Sequence, residues 1–340
     1  MARPLRLYRN TGDGFAEVAK EYGLAGPFGR HNASTSWADF DLDGDMDVLV
    51  SGKRARLFRN DGDRFTDITD DALGEDICCL HAAAWGDFDN DGDEDLYLAR
   101  GFGLKHGKIA SNFLFRNDGD GRFTDVTDAT DTGTWKNSRD ATWFDFDNDG
   151  DLEILVVNSD SQLRSAPTFA SWLLPVWLPL MTSNTFDHAN VLYRNNADGT
   201  FTDVTEATGV AGAGSNSGAA VADGDGFLDL ALSYGPWALE SGPTVLLHNS
   251  GNANRWLGLK LEGRVSNRGG IGARVMVRAA GRQQFRQANG GVHGFSQDYA
   301  VLHFGLGDAA AAEEVEVRWP SGLTTRVTGL AAGKVHVIRE

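Results

Sequence analysis

Trp37-Ala38-Asp39-Phe40-Asp41-Leu42-Asp43-Gly44-Asp45-Met46-Asp47-Val48-Leu49-Val50 is the stretch on which the reading of this chain turns. A short strand-like run enters an acidic bend, and an apolar, β-branched run leaves it. With Asp39 as position 1, acids stand at 1, 3, 5 and 9 and Gly44 stands at 6. Carboxylates this close repel one another unless a cation sits among them. Alternation aims positions 1, 3 and 5 at one point, and the glycine permits a sharp bend. Position 7 can offer a backbone carbonyl, and position 9 returns a carboxylate. All the donors are oxygen, many are charged and the loop is flexible, which favours Ca²⁺ over Mg²⁺.

The pattern recurs at Trp85–Leu98 and Trp143–Val156. The expected ligands are Asp39, Asp41, Asp43, Asp45 (backbone) and Asp47 in the first loop. In the second they are Asp87, Asp89, Asp91, Asp93 (backbone) and Asp95. In the third they are Asp145, Asp147, Asp149, Asp151 (backbone) and Glu153, whose longer side chain can bind differently. A fourth copy keeps Asp223, Asp225, Gly226 and Asp229 but has Val221 at position 1, so it is expected to bind weakly or not at all. An EF-hand shares part of this spacing, but it needs flanking helices and a Glu at position 12. Position 12 here is Val50, Leu98 or Val156 inside strand-like runs, and that alternative fails.

Between the acidic bends a second pattern alternates with the first. Leu7-Tyr8-Arg9-Asn10, Leu57-Phe58-Arg59-Asn60, Leu114-Phe115-Arg116-Asn117 and Leu192-Tyr193-Arg194-Asn195 each lead through a Gly-containing turn to a Phe-headed run such as Phe65 to Thr69, with a weaker copy at Val245 to Asn249. Two short runs about such a turn make a β-hairpin. One bend plus one hairpin is four strands, the content of a propeller blade, and the spacing of about 48 to 76 residues is of blade scale. The expected fold is therefore all-β: a propeller of four or five four-stranded blades over residues 1–250. The N-terminal hairpin is expected to help close the ring. A small C-terminal β-sandwich or barrel of about seven strands is expected over 251–340.

Composition agrees and excludes. Of 340 residues, 42 are Gly and 8 Pro, as many short strands joined by tight turns require. Forty-eight acids against 31 basic residues give a formal charge of −17. That balance argues against a nucleic-acid groove, which needs clustered Lys and Arg, and against an anionic membrane surface. The longest apolar run, Trp172 to Met181, is too short to span a bilayer. The adjacent Cys78 and Cys79 make no disulfide framework and read as two buried small residues on a strand. Met1 to Pro4 runs straight into strand-like residues with no leader visible. The expectation is a cytoplasmic protein, or a secreted one if the sequence lacks its leader.

On these residues the chain resembles the FG-GAP/VCBS calcium propellers. Asn254-Arg255-Trp256-Leu257-Gly258, Gly269-Gly270-Ile271-Gly272-Ala273-Arg274-Val275, His303-Phe304-Gly305-Leu306-Gly307 and Arg318-Trp319-Pro320-Ser321-Gly322 resemble an ASPIC/UnbV domain. The order of the two is that of the cartilage acidic protein family. The resemblance implies a calcium-binding propeller, mostly secreted in relatives, and a second domain whose role is poorly defined.

Topology separates two faces. The acidic bends and the Asn-containing turns share one, as structural staples. The insertions Gly101–Asn112, Asn158–Asn190 and Tyr234–Pro243 fall on the other, and long loops on a rigid scaffold are where function concentrates. The apolar stretch with Phe169, Trp172 and Trp177 is a buried plug, or else a lid or partner contact. His81 and Arg139 stand six residues before the first ligand of their loops, with His31, Asn137 and Asp140 nearby and His188 at the end of the long insertion. Each His is weighed against a purely structural role, and His293 and His303 read as structural in the C-terminal domain. The expected function is a calcium-binding propeller holding a hydrophobic small molecule or a protein partner on the insertion face. The alternative is a cofactor-free cyclase, isomerase, lyase or hydrolase with His31 or His81 as acid/base and Arg139 as anion holder. No nucleophile elbow, phosphate loop or dinucleotide fingerprint is present. Oligomeric state is not legible.

Overall fold

The computed structural model describes residues 5–24, 32–52, 55–75, 77–101, 104–105, 108–109, 111–159, 189–213, 216, 218–233, 244–293, 296–298 and 300–340. His31, His188, Phe169, Trp172 and Trp177 lie outside the described residues.

The chain opens with the hairpin β1 (Tyr8–Asn10) and β2 (Phe15–Glu17). Four sheets follow. The first is β3 (Asn32–Ala38), β4 (Asp47–Gly52), β5 (Arg56–Asn60) and β6 (Phe65–Asp67), paired antiparallel in chain order. The second has β7 (Leu80–Gly86) and β8 (Asp95–Arg100), a small side hairpin β9 (Leu104–Lys105) and β10 (Lys108–Ile109), then β11 (Phe113–Asn117) and β12 (Phe123–Asp125). The third is β13 (Ser138–Phe144), β14 (Glu153–Asn158), β15 (Val191–Asn195) and β16 (Phe201–Asp203). The fourth shows three strands, β17 (Gly218–Asp223), β18 (Leu228–Ser233) and β19 (Val245–Leu247). The acidic bend joins the first two strands of each sheet, and the Asn-containing turn joins the last two where a fourth strand is described.

The sheets stack like pages, with first strands β3, β7, β13 and β17 side by side. Second strands are therefore covered on both faces, and β4, β8 and β14 are buried along their whole length. This is why they read as continuous apolar runs rather than alternating ones. Aromatics knit neighbouring sheets: Phe40 stacks on Trp85 at 5.9 Å and Phe88 on Trp143 at 6.0 Å between ring centroids. The Phe-Thr-Asp strand runs into a short helix that the sequence pattern does not announce: α1 (Thr69–Leu73), α2 (Thr127–Thr130) and α3 (Thr205–Thr208). The Thr hydroxyl accepts the N–H of Leu57, Leu114 or Leu192 at 2.9, 2.9 and 3.0 Å, tying the helix to the third strand.

Among the described residues the N-terminal hairpin pairs only within itself and packs on the first sheet, where Phe65 N–H donates to the Tyr22 carbonyl at 2.9 Å. It joins no described strand of the fourth sheet. Cys78 and Cys79 are partly buried just before β7, with Cys79 at φ 67° and the two Sγ atoms 2.9 Å apart, rather than fully buried within a strand.

The C-terminal unit is two sheets over one core of Leu257, Leu259, Val275, Val277, Phe304 and Val315 among others. One sheet holds β20 (Arg255–Glu262) between β25 (Leu302–Gly307) and β28 (Lys334–Arg339), the last pairing parallel. The other orders β22 (Arg282–Gln287), β21 (Arg274–Ala279), β26 (Ala311–Arg318) and β27 (Thr324–Ala331). A hairpin, β23 (Val292–His293) and β24 (Ser296–Gln297), leaves this sandwich and lies among the first strands of all four preceding sheets. The space beside those first strands therefore already contains protein. No described helix is long and apolar enough to cross a membrane.

Candidate metal centres and the cavity beneath the C-terminal sandwich

Each good loop folds around its position-1 carboxylate. Asp39 accepts the N–H of Gly44 at 3.1 Å. Asp87 accepts those of Asp91 and Gly92, both at 3.1 Å, and Asp145 those of Asp149 and Gly150 at 3.1 and 2.9 Å. Gly44, Gly92 and Gly150 sit at φ 97°, 101° and 99°, a conformation that explains the glycine at position 6.

Three acidic clusters result: Asp39, Asp41 and Asp43; Asp87, Asp89 and Asp95; and Asp145, Asp147 and Glu153, each with donor oxygens within 4.8 Å of one another. The donor set is all oxygen. Asp39 Oδ1, Asp41 Oδ1 and Asp147 Oδ1 are buried with no hydrogen-bond partner in the protein. Burial, reinforced by neighbouring carboxylates, pushes the acids up: Asp39 to about 6, Asp87 to about 8 and Asp145 to about 7. Orphaned, crowded and desolvated carboxylates are what a hard divalent cation would satisfy, so the residues present fit calcium.

Position 9 has a second duty. Asp47 spends its oxygens on the N–H groups of Phe40 at 3.0 Å and Asn60 at 2.7 Å, and it stands outside the first cluster. Asp95 accepts from Phe88 and Asn117 at 2.9 and 2.8 Å, and Glu153 from Phe146 and Asn195 at 3.0 and 3.4 Å. This carboxylate pins the loop to the third strand. Among the remaining expected ligands, Asp91 and Asp149 accept the N–H groups of Asp93 and Asp151, both at 2.9 Å, and Asp43 that of Asp45 at 2.8 Å. In the fourth copy Asp223 lies 3.7 Å from His303 Nδ1, Asp225 accepts the Phe227 N–H at 3.2 Å, and Asp229 lies 3.0 Å from His248 Nδ1.

The Asn of the Leu-x-Arg-Asn motif, read from sequence only as part of a hairpin, crosses to the preceding sheet. Asn117 Nδ2 donates to the Phe40 carbonyl at 2.8 Å, and Asn195 to Phe88 and Asn249 to Phe146, both at 2.7 Å. Each acceptor is position 2 of the previous acidic loop. The signal was the invariance of that Asn across the repeats.

The C-terminal sandwich lies over the acidic loops. Between it and the first strands is a cavity of about 290 Å³ lined by Trp85, Glu94, Trp143, Arg286, His293 and His303, among others. Glu94 occupies the position that is Met46, Leu152 or Leu228 in the other loops, and burial pushes it up to about 7. That acid among apolar residues is the signal by which sequence reasoning could have found the cavity. Arg286 reaches the same place from β22. Its Nη1 donates to the Phe285 carbonyl at 2.7 Å, and Nη2 is buried with no hydrogen-bond partner in the protein.

Two histidines read as belonging to the C-terminal domain alone face the repeats instead. His293 Nδ1 is 3.0 Å from Asp140 and its Nε2 is 3.0 Å from Asp298. Burial alone would depress this imidazole, but the two carboxylates outweigh it and push it up to about 10. His303 Nε2 lies 2.7 Å from Asn148 Oδ1. Asp140, expected near His81, is thus engaged by the hairpin of the C-terminal sandwich. His81 and Arg139 do meet, with Arg139 Nη1 3.0 Å from His81 Nε2; burial, then Arg139, lowers that imidazole to about 3 and keeps it neutral. Asn137 donates to the Ser159 carbonyl at 2.7 Å.

Repeated sheets with oxygen-lined acidic bends, capped by a β-sandwich, define a class of repeat protein with candidate metal sites. A family profile described as FG-GAP-like repeat matches residues 2–50, 105–156 and 180–257, more than half of the chain, and one described as ASPIC and UnbV matches 263–340. The chain belongs to the FG-GAP-like repeat family and carries a C-terminal ASPIC/UnbV domain. The second acidic loop falls between the matched segments yet has the same geometry. The chain is distantly similar to cartilage acidic protein 1 of Xenopus tropicalis, at 27% identity over 67% of this chain and 40% of that protein. Against the Homo sapiens protein the identity is 26%, with the same two coverages. The chain spans about two fifths of the length of these curated relatives. Among solved structures, an Agrocybe aegerita lectin, described as recognising non-reducing terminal N-acetylglucosamine, aligns at TM-score 0.36 and 19% identity over 72% of this chain and 60% of its own. The V. cholerae biofilm matrix protein Bap1 aligns at TM-score 0.23 and 12% identity over 97% and 59%. Neither alignment is tight enough to carry a functional argument.

Proposed function

We propose that this chain is a calcium-stabilised β-propeller of four or five blades that binds a small molecule in the cavity between its innermost strands and the ASPIC/UnbV domain. The observation that carries the reading is the cavity itself, about 290 Å³, where apolar walls meet a few convergent polar groups. Pockets of this size and mixture are where proteins hold small ligands. Binding is favoured over acid/base chemistry at His293 because both of its ring nitrogens are already held by protein partners. The test is native mass spectrometry of the calcium-loaded protein against a small-metabolite library, alongside Val292→Trp, which places bulk at the cavity from an exposed position. Ligands retained by the wild type and lost by Val292→Trp support the reading. Equal retention by both, or none by either, refutes it.

A further inference from the structure

We propose that the C-terminal sandwich is a reader of the acidic loops, docking on them when a cation holds their shape, so that calcium controls whether the cavity has its roof. What is controlled rests on the cavity reading above; the docking itself does not.

Two neighbouring strands reach three loops. On β22, Arg282 Nη1 donates to the Asp149 carbonyl at 2.9 Å and Nη2 to Asp151 Oδ1 at 2.5 Å. Five residues on, Gln287 Oε1 accepts the Asp39 N–H at 2.9 Å. From β21, Arg274 reaches the Gly92 carbonyl. On β25, Gly305 N–H donates to Asp145 Oδ2 at 3.0 Å and Gly307 N–H to the Asn148 carbonyl at 2.9 Å. The approach is too close for side chains. A Cβ on Gly305 would stand 2.1 Å from Asp145 Oδ2 and 2.4 Å from the Asn148 backbone. A Cβ on Gly226, in the fourth loop, would stand 1.8 Å from Trp256 Nε1. Trp256, Arg274, Gly305 and Gly307 all belong to the motifs by which the sequence resembles ASPIC/UnbV domains, so those motif residues form the docking surface.

Most of these bonds end on loop backbone: Asp39, Gly92, Asn148 and Asp149. Backbone groups report the shape of a loop rather than its charge. Without a cation, carboxylates held within 4.8 Å repel and the loop loses that shape. Cation binding and docking are then linked, and linkage is reciprocal.

Small-angle scattering and limited proteolysis of the full chain, with calcium and with EGTA, read the docking directly, and far-UV circular dichroism checks that the sheets persist. The expected result is a larger radius of gyration and cleavage near residues 250–255 on chelation, with strand content kept. Docking unchanged by chelation, or loss of all strand content together with it, overturns the proposal. Calorimetric calcium titration of Gly305→Ala and Arg282→Ala supplies the reciprocal arm, with affinity expected to fall about 5-fold or more. Charge alone predicts the opposite for Arg282→Ala, since removing a cation beside the loop should tighten calcium binding. Unchanged or tighter binding by both folded variants overturns the proposal. Calcium-dependent docking with no ligand retained supports it while refuting the cavity reading.

Discussion

Replacing His293 with Ala puts a buried ionic contact beneath the sandwich to the test. Asp140 is fully buried and Asp298 mostly so, and both hold this imidazole at 3.0 Å. A tenfold change in proton affinity is worth about 1.4 kcal/mol, so a rise from 6.5 to about 10 sets a ceiling of about 5 kcal/mol. Removing one partner of a buried ion pair costs about 3–5 kcal/mol, and that is the expected loss for His293→Ala at pH 7. The folded value lies above the unfolded one. The stabilisation is therefore fully present below about pH 6.5 and fades as pH rises through about 10. The gap between wild type and variant in urea unfolding, both in excess calcium, should shrink across that window. Burial pushes the Asp140 carboxyl up even beside His293. The variant should accordingly regain stability on mild acidification as that carboxyl takes a proton, and His293→Ala with Asp140→Asn should be more stable than His293→Ala alone. A loss below about 1 kcal/mol, or a gap that is flat from pH 7 to 10, would sink the reasoning.

Other outcomes are equally open to measurement. Chelation should lower the melting temperature of the wild type, and Asp87→Asn or Asp145→Asn should reduce the bound calcium counted by atomic emission; a metal-free wild type with an unchanged melt counts against calcium sites. Asn195→Leu strands the buried Phe88 and Leu152 carbonyls and should cost about 2–5 kcal/mol in urea melts. Asn60→Leu, whose side chain bonds the Met46 carbonyl and the Gly62 N–H of its own repeat, should cost about 1 kcal/mol, and equal losses would show that the crossing bond is unimportant. Leu42 holds φ 62° where the next two loops have Asn90 and Asn148, each reaching the following loop at 2.8 and 3.0 Å. Leu42→Asn should therefore stabilise by about 1 kcal/mol, and a destabilised variant would contradict the comparison.

Much of this protein was legible because its key interactions are local. Acids at alternate positions with a glycine at position 6 can converge only by bending the chain, and the requirement of φ near 100° at Gly44, Gly92 and Gly150 leaves little choice of residue. The paired runs around each bend then give four-stranded units, and continuous apolar runs such as Ile154-Leu155-Val156 announce sheets covered on both faces. Position 9 was read as a ligand, and its bond to the third strand was hidden because Asp47 and Asn60 meet across a loop and two strands.

The rest was decided by tertiary structure. His293 meets Asp140 across 153 residues, Gln287 meets Asp39 across 248 and Arg282 meets Asp151 across 131. No periodicity links such residues, since each pairing depends on how one folded body is oriented on another. Sequence placed the acidic bends on a face of their own and the histidines of the C-terminal unit inside that unit. Only packing brought the sandwich onto those bends and its hairpin among the inner strands. Short-range sterics and electrostatics fix a bend from its own residues, whereas a contact between two bodies exists only once both surfaces have formed.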